Sequence, residues 1–136
     1  IISSHGNNIY VGTVMDPPIY YLDNTILVGS GGLNAYQVAF MAGDGTARPA
    51  DASNPTHAGR VLGISKTTQP EGGRASIQLS GEIENPAWDL VIGEAYFLGS
   101  GGEITLTPPA IGFCQRIGVA KTPHILVITL GEPVLR

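Results

Sequence analysis

Ala75-Ser76-Ile77-Gln78-Leu79-Ser80 is the stretch whose reading decides the fold. Successive side chains of an extended chain point to opposite sides, so Ile77 and Leu79 share one face while Ser76, Gln78 and Ser80 share the other. That alternation predicts a strand with one dry and one wet side, with Ile77 and Leu79 buried and Gln78 facing water. A helix would need apolar residues at i, i+3, i+4 and i+7, and no part of the chain keeps that spacing for three turns.

Outward from this stretch, 19 glycines and 10 prolines cut the 136 residues into short apolar runs rich in Val, Ile, Thr and Tyr. These residues fit a pleated, half-buried surface. Strands are expected at 19–28, 36–41, 59–65, 74–83, 95–98, 104–106, 116–120 and 125–130. Asp44-Gly45 has the composition of a tight hairpin turn. Any helix is limited to about one turn near 51–57, and 51–59 reads as a capped turn whose side-chain oxygens satisfy backbone amides before the chain re-enters a strand. The prediction is therefore an all-β protein: a small single-domain β-barrel or sandwich of short strands.

Residues 1–18 stand apart, mixing Ser, Asn and Gly with isolated apolar residues and ending in Asp16-Pro17-Pro18, which favours extended backbone. They are expected to form an extended N-terminal arm, with 19–136 as a β-barrel-like module. The chain opens on Ile1 instead of Met, so a processed or trimmed start is expected. Laid on a neighbouring subunit, the arm would bury Ile9, Tyr10 and Val11. These three residues, together with Tyr20 and Trp88, are the candidate interface.

Two passages echo each other. Gly63-Ile64-Ser65-Lys66-Thr67 precedes a strand that ends in Gly81-Glu82, and Gly118-Val119-Ala120-Lys121-Thr122 precedes one that ends in Gly131-Glu132. Arg60 and Arg116 lie just upstream. The echo predicts two related strand-turn-strand units, packed about a pseudo-twofold.

Charged residues make up 13% of the chain, about half the usual share of roughly 25%, while 43% are hydrophobic. Such a surface is best accommodated by burying part of it against neighbours. The net charge of −4 offers no basic field for phosphates, and no apolar run approaches the about 20 residues needed to span a bilayer. Neither nucleic acid nor a membrane is an expected partner.

A search for reactive groupings is short. Gly29-Ser30-Gly31-Gly32 and Gly99-Ser100-Gly101-Gly102 lack the Lys-Ser/Thr of a phosphate cradle and read as loops. His5, His57 and His124 share no metal-ligand spacing. Glu82 and Glu84 alternate on one strand face and read as a solvated strand end. Cys114, the single cysteine, reads as a buried inert thiol. No catalytic residue, cofactor or metal ligand is expected. Tyr20 and Tyr21 point to opposite faces, so they make no flat platform. Trp88 is the residue best able to anchor a partner or stack on a sugar.

A longer series gives a resemblance. Tyr36-Gln37-Val38-Ala39-Phe40, then the passage from Ala50-Asp51-Ala52-Ser53-Asn54-Pro55-Thr56-His57 to Ala58-Gly59-Arg60-Val61-Leu62-Gly63, then Ile77-Gln78-Leu79-Ser80-Gly81-Glu82-Ile83 form its first half. Gly93-Glu94-Ala95-Tyr96-Phe97-Leu98, Gly101-Gly102-Glu103-Ile104-Thr105-Leu106-Thr107-Pro108-Pro109 and Leu130-Gly131-Glu132-Pro133-Val134-Leu135 complete it. Over about the last hundred residues the chain resembles a β module of tailed-bacteriophage virion proteins, of the capsid decoration, head-fibre and tail-fibre types. The resemblance implies a non-enzymatic structural protein of the virion. It would decorate or stabilise the capsid surface or form the base of a head fibre, with the major capsid protein and itself, as a homotrimer, for partners. The alternative is a tail-fibre or receptor-binding module that recognises host surface carbohydrate.

Overall fold

The computed structural model describes residues 9–11 and 20–136. Short apolar runs become strands wherever a glycine or a side-chain-capped turn lets the chain reverse. In chain order these are β1 (Ile9–Val11), β2 (Tyr20–Leu27), β3 (Val38–Met41), β4 (Ala47–Pro49), β5 (Val61–Ser65), β6 (Arg74–Gln78) and β7 (Gly81–Glu84). They are followed by β8 (Ala95–Leu98), β9 (Ile104–Thr105), β10 (Phe113–Cys114), β11 (Arg116–Thr122), β12 (Ile125–Ile128) and β13 (Val134–Leu135). The helical content of the described residues is one 3-10 turn, Pro55–His57. Asn54 caps it through its side-chain oxygen, which accepts from Thr56 N–H, as the Asx-rich sequence there predicts.

The fold is all-β, with antiparallel sheets ordered β1-β2-β6-β5-β3-β4 and β7-β12-β11-β8-β9, and a small β10-β13 ribbon. It is a sandwich of short strands and not a closed barrel. Among the described residues, the end of β2 reaches β4 through one parallel bridge, Val28 to Ala47.

The two sheets repeat one topology. In each, the first strand of the unit (β2 or β7) pairs with the last (β6 or β12), which pairs with the fourth (β5 or β11). That fourth strand pairs in turn with the second (β3 or β8), whose hairpin partner (β4 or β9) closes the row. The echoed passages occupy equivalent places, Gly63-Ile64-Ser65 in β5 and Gly118-Val119-Ala120 in β11. Each follows a break in register: Leu62 is the extra residue before Gly63, and Ile117 the extra residue before Gly118. A side chain at either glycine would drive into the neighbouring strand, at the Gln78 carbonyl for Gly63 and at the Val127 carbonyl for Gly118. The sequence echo thus marks a shared structural need for close backbone approach.

Between the sheets, Val38, Phe40 and Ile64 pack against Ile83, Tyr96, Leu98, Ile117, Leu126 and Ile128, all buried. Each such large side chain removed from water contributes about 1.5–3 kcal/mol. A second cluster, Val28, Leu33, Ala39, Ala47, Ala75 and Ile77, covers the opposite face of the first sheet. At β3, β5 and Ile77-Gln78 that sheet is therefore buried on both sides.

This double burial corrects the expectation for the alternating stretch. Ile77 is fully buried as expected, but Gln78 is only 2% exposed, and Leu79 is half-buried. The predicted strand 74–83 is in fact two. The chain leaves the first sheet after Gln78 and joins the second at Gly81, whose φ of 83° makes the turn. The Gln78 amide donates to the carbonyls of Ser80 and Glu82, at 3.0 and 2.7 Å, and so satisfies the crossing backbone. A buried amide is tolerated where its hydrogen bonds are made.

β1 pairs with β2 of its own chain, Ile9 opposite Leu22 and Val11 opposite Tyr20. The rest of the expected arm, 1–8 and 12–18, lies outside the described residues.

Candidate functional site

The loops between the first and second strands of the two units, 28–37 and 85–94, meet at a cleft. Its volume is about 530 Å³, and its walls include Asn34, Tyr36, Trp88, Asp89, Tyr96 and Glu103. Tyr36 and Trp88 therefore come from equivalent loops of the two units. Their rings meet edge to face, with centroids 5.6 Å apart and planes inclined by 64°.

Both loops are tightly held. On one side Tyr36 N–H donates to Ser65 O at 2.6 Å, and Ala35 N–H to Thr68 Oγ1 at 3.0 Å. The Gln37 side chain accepts from Asn34 N–H at 2.7 Å and donates to Gly101 O at 2.8 Å. Gly102 fits closely here, because a side chain on it would press on Gln37. On the other side Asn85 N–H donates to His124 O, Leu90 N–H to Pro123 O, and Val91 N–H to the Tyr96 hydroxyl at 2.8 Å. His124 Nδ1 lies 2.7 Å from Trp88 O, and since a carbonyl only accepts, the His124 proton sits on Nδ1. Tyr36 itself is the one non-glycine described residue with positive φ, 69°. A bulky residue in that region is strained by about 1–3 kcal/mol, and the surrounding bonds must hold it there.

Other expected sites resolve into structural roles. His57 is half-buried, stacks on Phe40, and accepts from Asp51 N–H through Nδ1 at 3.0 Å. Burial pushes its pKa down, against a weaker upward pull from Asp51. Glu82 pairs with Lys121 at 2.5 Å across the second sheet, while Glu84 is exposed. Asp44 accepts from Thr46 N–H and Oγ1 and meets Arg48 at 2.9 Å, so the Asp44-Gly45 turn forms as its sequence predicts. Those Thr46 bonds lead in holding the Asp44 carboxyl below its usual pKa. Cys114 is half-buried in β10. Among the described residues no group of three or more His, Cys, Asp and Glu could hold a metal ion.

Of the candidate interface residues, Trp88 lines the cleft, half-buried. Ile9, Tyr10 and Val11 stand in β1 and Tyr20 at the start of β2, with side chains outside those described. His5 lies outside the described residues. Sequence reasoning missed Tyr36 as the partner of Trp88. The two are far apart in the chain, and only equivalent places in a repeated unit bring them together. No protein-family model matches the chain, and no curated protein does.

Proposed function

We propose that this chain is a non-enzymatic structural protein of a bacteriophage virion, which decorates or stabilises the capsid surface or forms the base of a head fibre as a homotrimer. The observation that carries this reading is apolar surface at the β10-β13 ribbon. Ile111, Val134 and Leu135 are 68%, 61% and 68% exposed, and Leu135 pairs directly with Phe113. Leu106, Val91 and Ile92 add further exposed apolar side chains. In a chain with 13% charged residues, such surface is most stable when covered by partners. The resemblance of the last hundred residues to phage virion β modules points the same way.

The test is binding to undecorated capsids, with the mass of the free protein measured by light scattering. The full chain is expected to self-associate as a trimer and to occupy capsids at high copy number. Ile111→Lys with Leu135→Lys is expected to leave the circular dichroism unchanged, deletion of residues 1–15 to leave a folded β spectrum lacking β1, and each to reduce occupancy. A monomer that does not bind capsids would overturn the reading. Equal occupancy by the shortened chain would move attachment wholly onto the β module.

A further inference from the structure

We propose that the cleft between Tyr36 and Trp88 is a carbohydrate site that accepts an uncharged sugar ring. The inference is independent of how the protein is attached, because the cleft and the β10-β13 ribbon share no residue.

Four observations support it. Trp88 lines the cleft and, although it packs against the core, stays partly exposed, so part of its indole is available to the C–H face of a sugar. Asp89 and Glu103 line the same cleft and are exposed, which places hydroxyl acceptors beside that surface. The cleft is lined by no Lys or Arg among the described residues, so its field is negative and disfavours sialic, uronic, sulfated or phosphorylated sugars. Finally, the cleft is preformed: Tyr36 is kept in a strained conformation by backbone and Gln37 bonds, and about 530 Å³ falls in the range of small-ligand sites.

Trp88 is the only tryptophan of the chain, so emission excited selectively at tryptophan, away from the five tyrosines, reports on this cleft. The full chain is titrated with neutral oligosaccharides built from glucose, galactose, mannose, rhamnose and N-acetylhexosamines, and with hyaluronan tetrasaccharide as the acidic probe. At least one neutral probe is expected to give a saturable change in Trp88 emission, and the acidic probe none. By calorimetry, Trp88→Ala should bind that neutral probe roughly tenfold or more weakly. Asp89→Asn with Glu103→Gln, both surface changes that leave the fluorophore in place, should weaken neutral binding and narrow the discrimination against hyaluronan. The proposal is overturned if no neutral probe gives a saturable response up to about 10 mM, a Kd at which binding is negligible. It is equally overturned if hyaluronan binds as well as the neutral sugars. Emission that changes with protein concentration and not with sugar would make the cleft a protein interface and overturn it too.

Discussion

The imidazole of His57 lies flat on the ring of Phe40, with centroids 3.6 Å apart and planes inclined by 20°. Phe40 belongs to the core between the sheets, so His57 closes that core at the 3-10 turn. The neutral ring is the one that fits, since Nδ1 must keep a lone pair for Asp51 N–H.

Stability should therefore fall on mild acidification. Burial lowers the folded pKa of His57 below 6.5, so the unfolded chain binds the proton more readily. The contribution is fully present above pH 6.5 and is lost as pH drops from there through the folded value. Thermal midpoints between pH 8 and 5 should decline in the native chain. They should decline less in His57→Phe, which keeps the stack but cannot titrate. Parallel slopes for the two would remove His57 from the account.

Gln78 should be costly to replace although it is polar. Gln78→Leu fills similar space but leaves the Ser80 and Glu82 carbonyls without their donors. The expected loss is about 1–3 kcal/mol by denaturant unfolding, the penalty for buried groups left unpaired. A neutral result would mean that water reaches those carbonyls.

Gly63 and Gly118 should behave as a matched pair. Gly63→Ala and Gly118→Ala each push a methyl into a neighbouring strand backbone and should cost about 1–3 kcal/mol. Gly43→Ala, at an open turn position, should be nearly silent. Chemical denaturation of the three variants checks the contrast.

Ile77 and Leu79 share a side of the sequence pattern but not a depth. Ile77→Ala should cost about 2–5 kcal/mol, as for other fully buried truncations, and Leu79→Ala less than about 2 kcal/mol. Equal losses would place Leu79 inside the second cluster.

The sequence by itself determined the all-β class, the hairpin at Asp44-Gly45, the capped turn before His57 and the correspondence of the Gly63 and Gly118 passages. All of these depend on neighbours within a few residues: a side-chain oxygen reaching an amide, a glycine taking positive φ, an alternation of period two. Alternation, however, reports only that two faces differ, and not what covers each. Ser76 and Gln78 look like a wet face, yet that face turns toward a second sheet, and Ile77 finds its cover in Val28 and Leu33, which arrive from another part of the chain. The β10-β13 ribbon was illegible for the same reason, because each of its two-residue runs is a strand only by virtue of the other. The cleft belonged wholly to the tertiary structure. Tyr36 and Trp88 lie in loops with no common motif, and they meet because two copies of one strand order pack face to face and bring equivalent loops together.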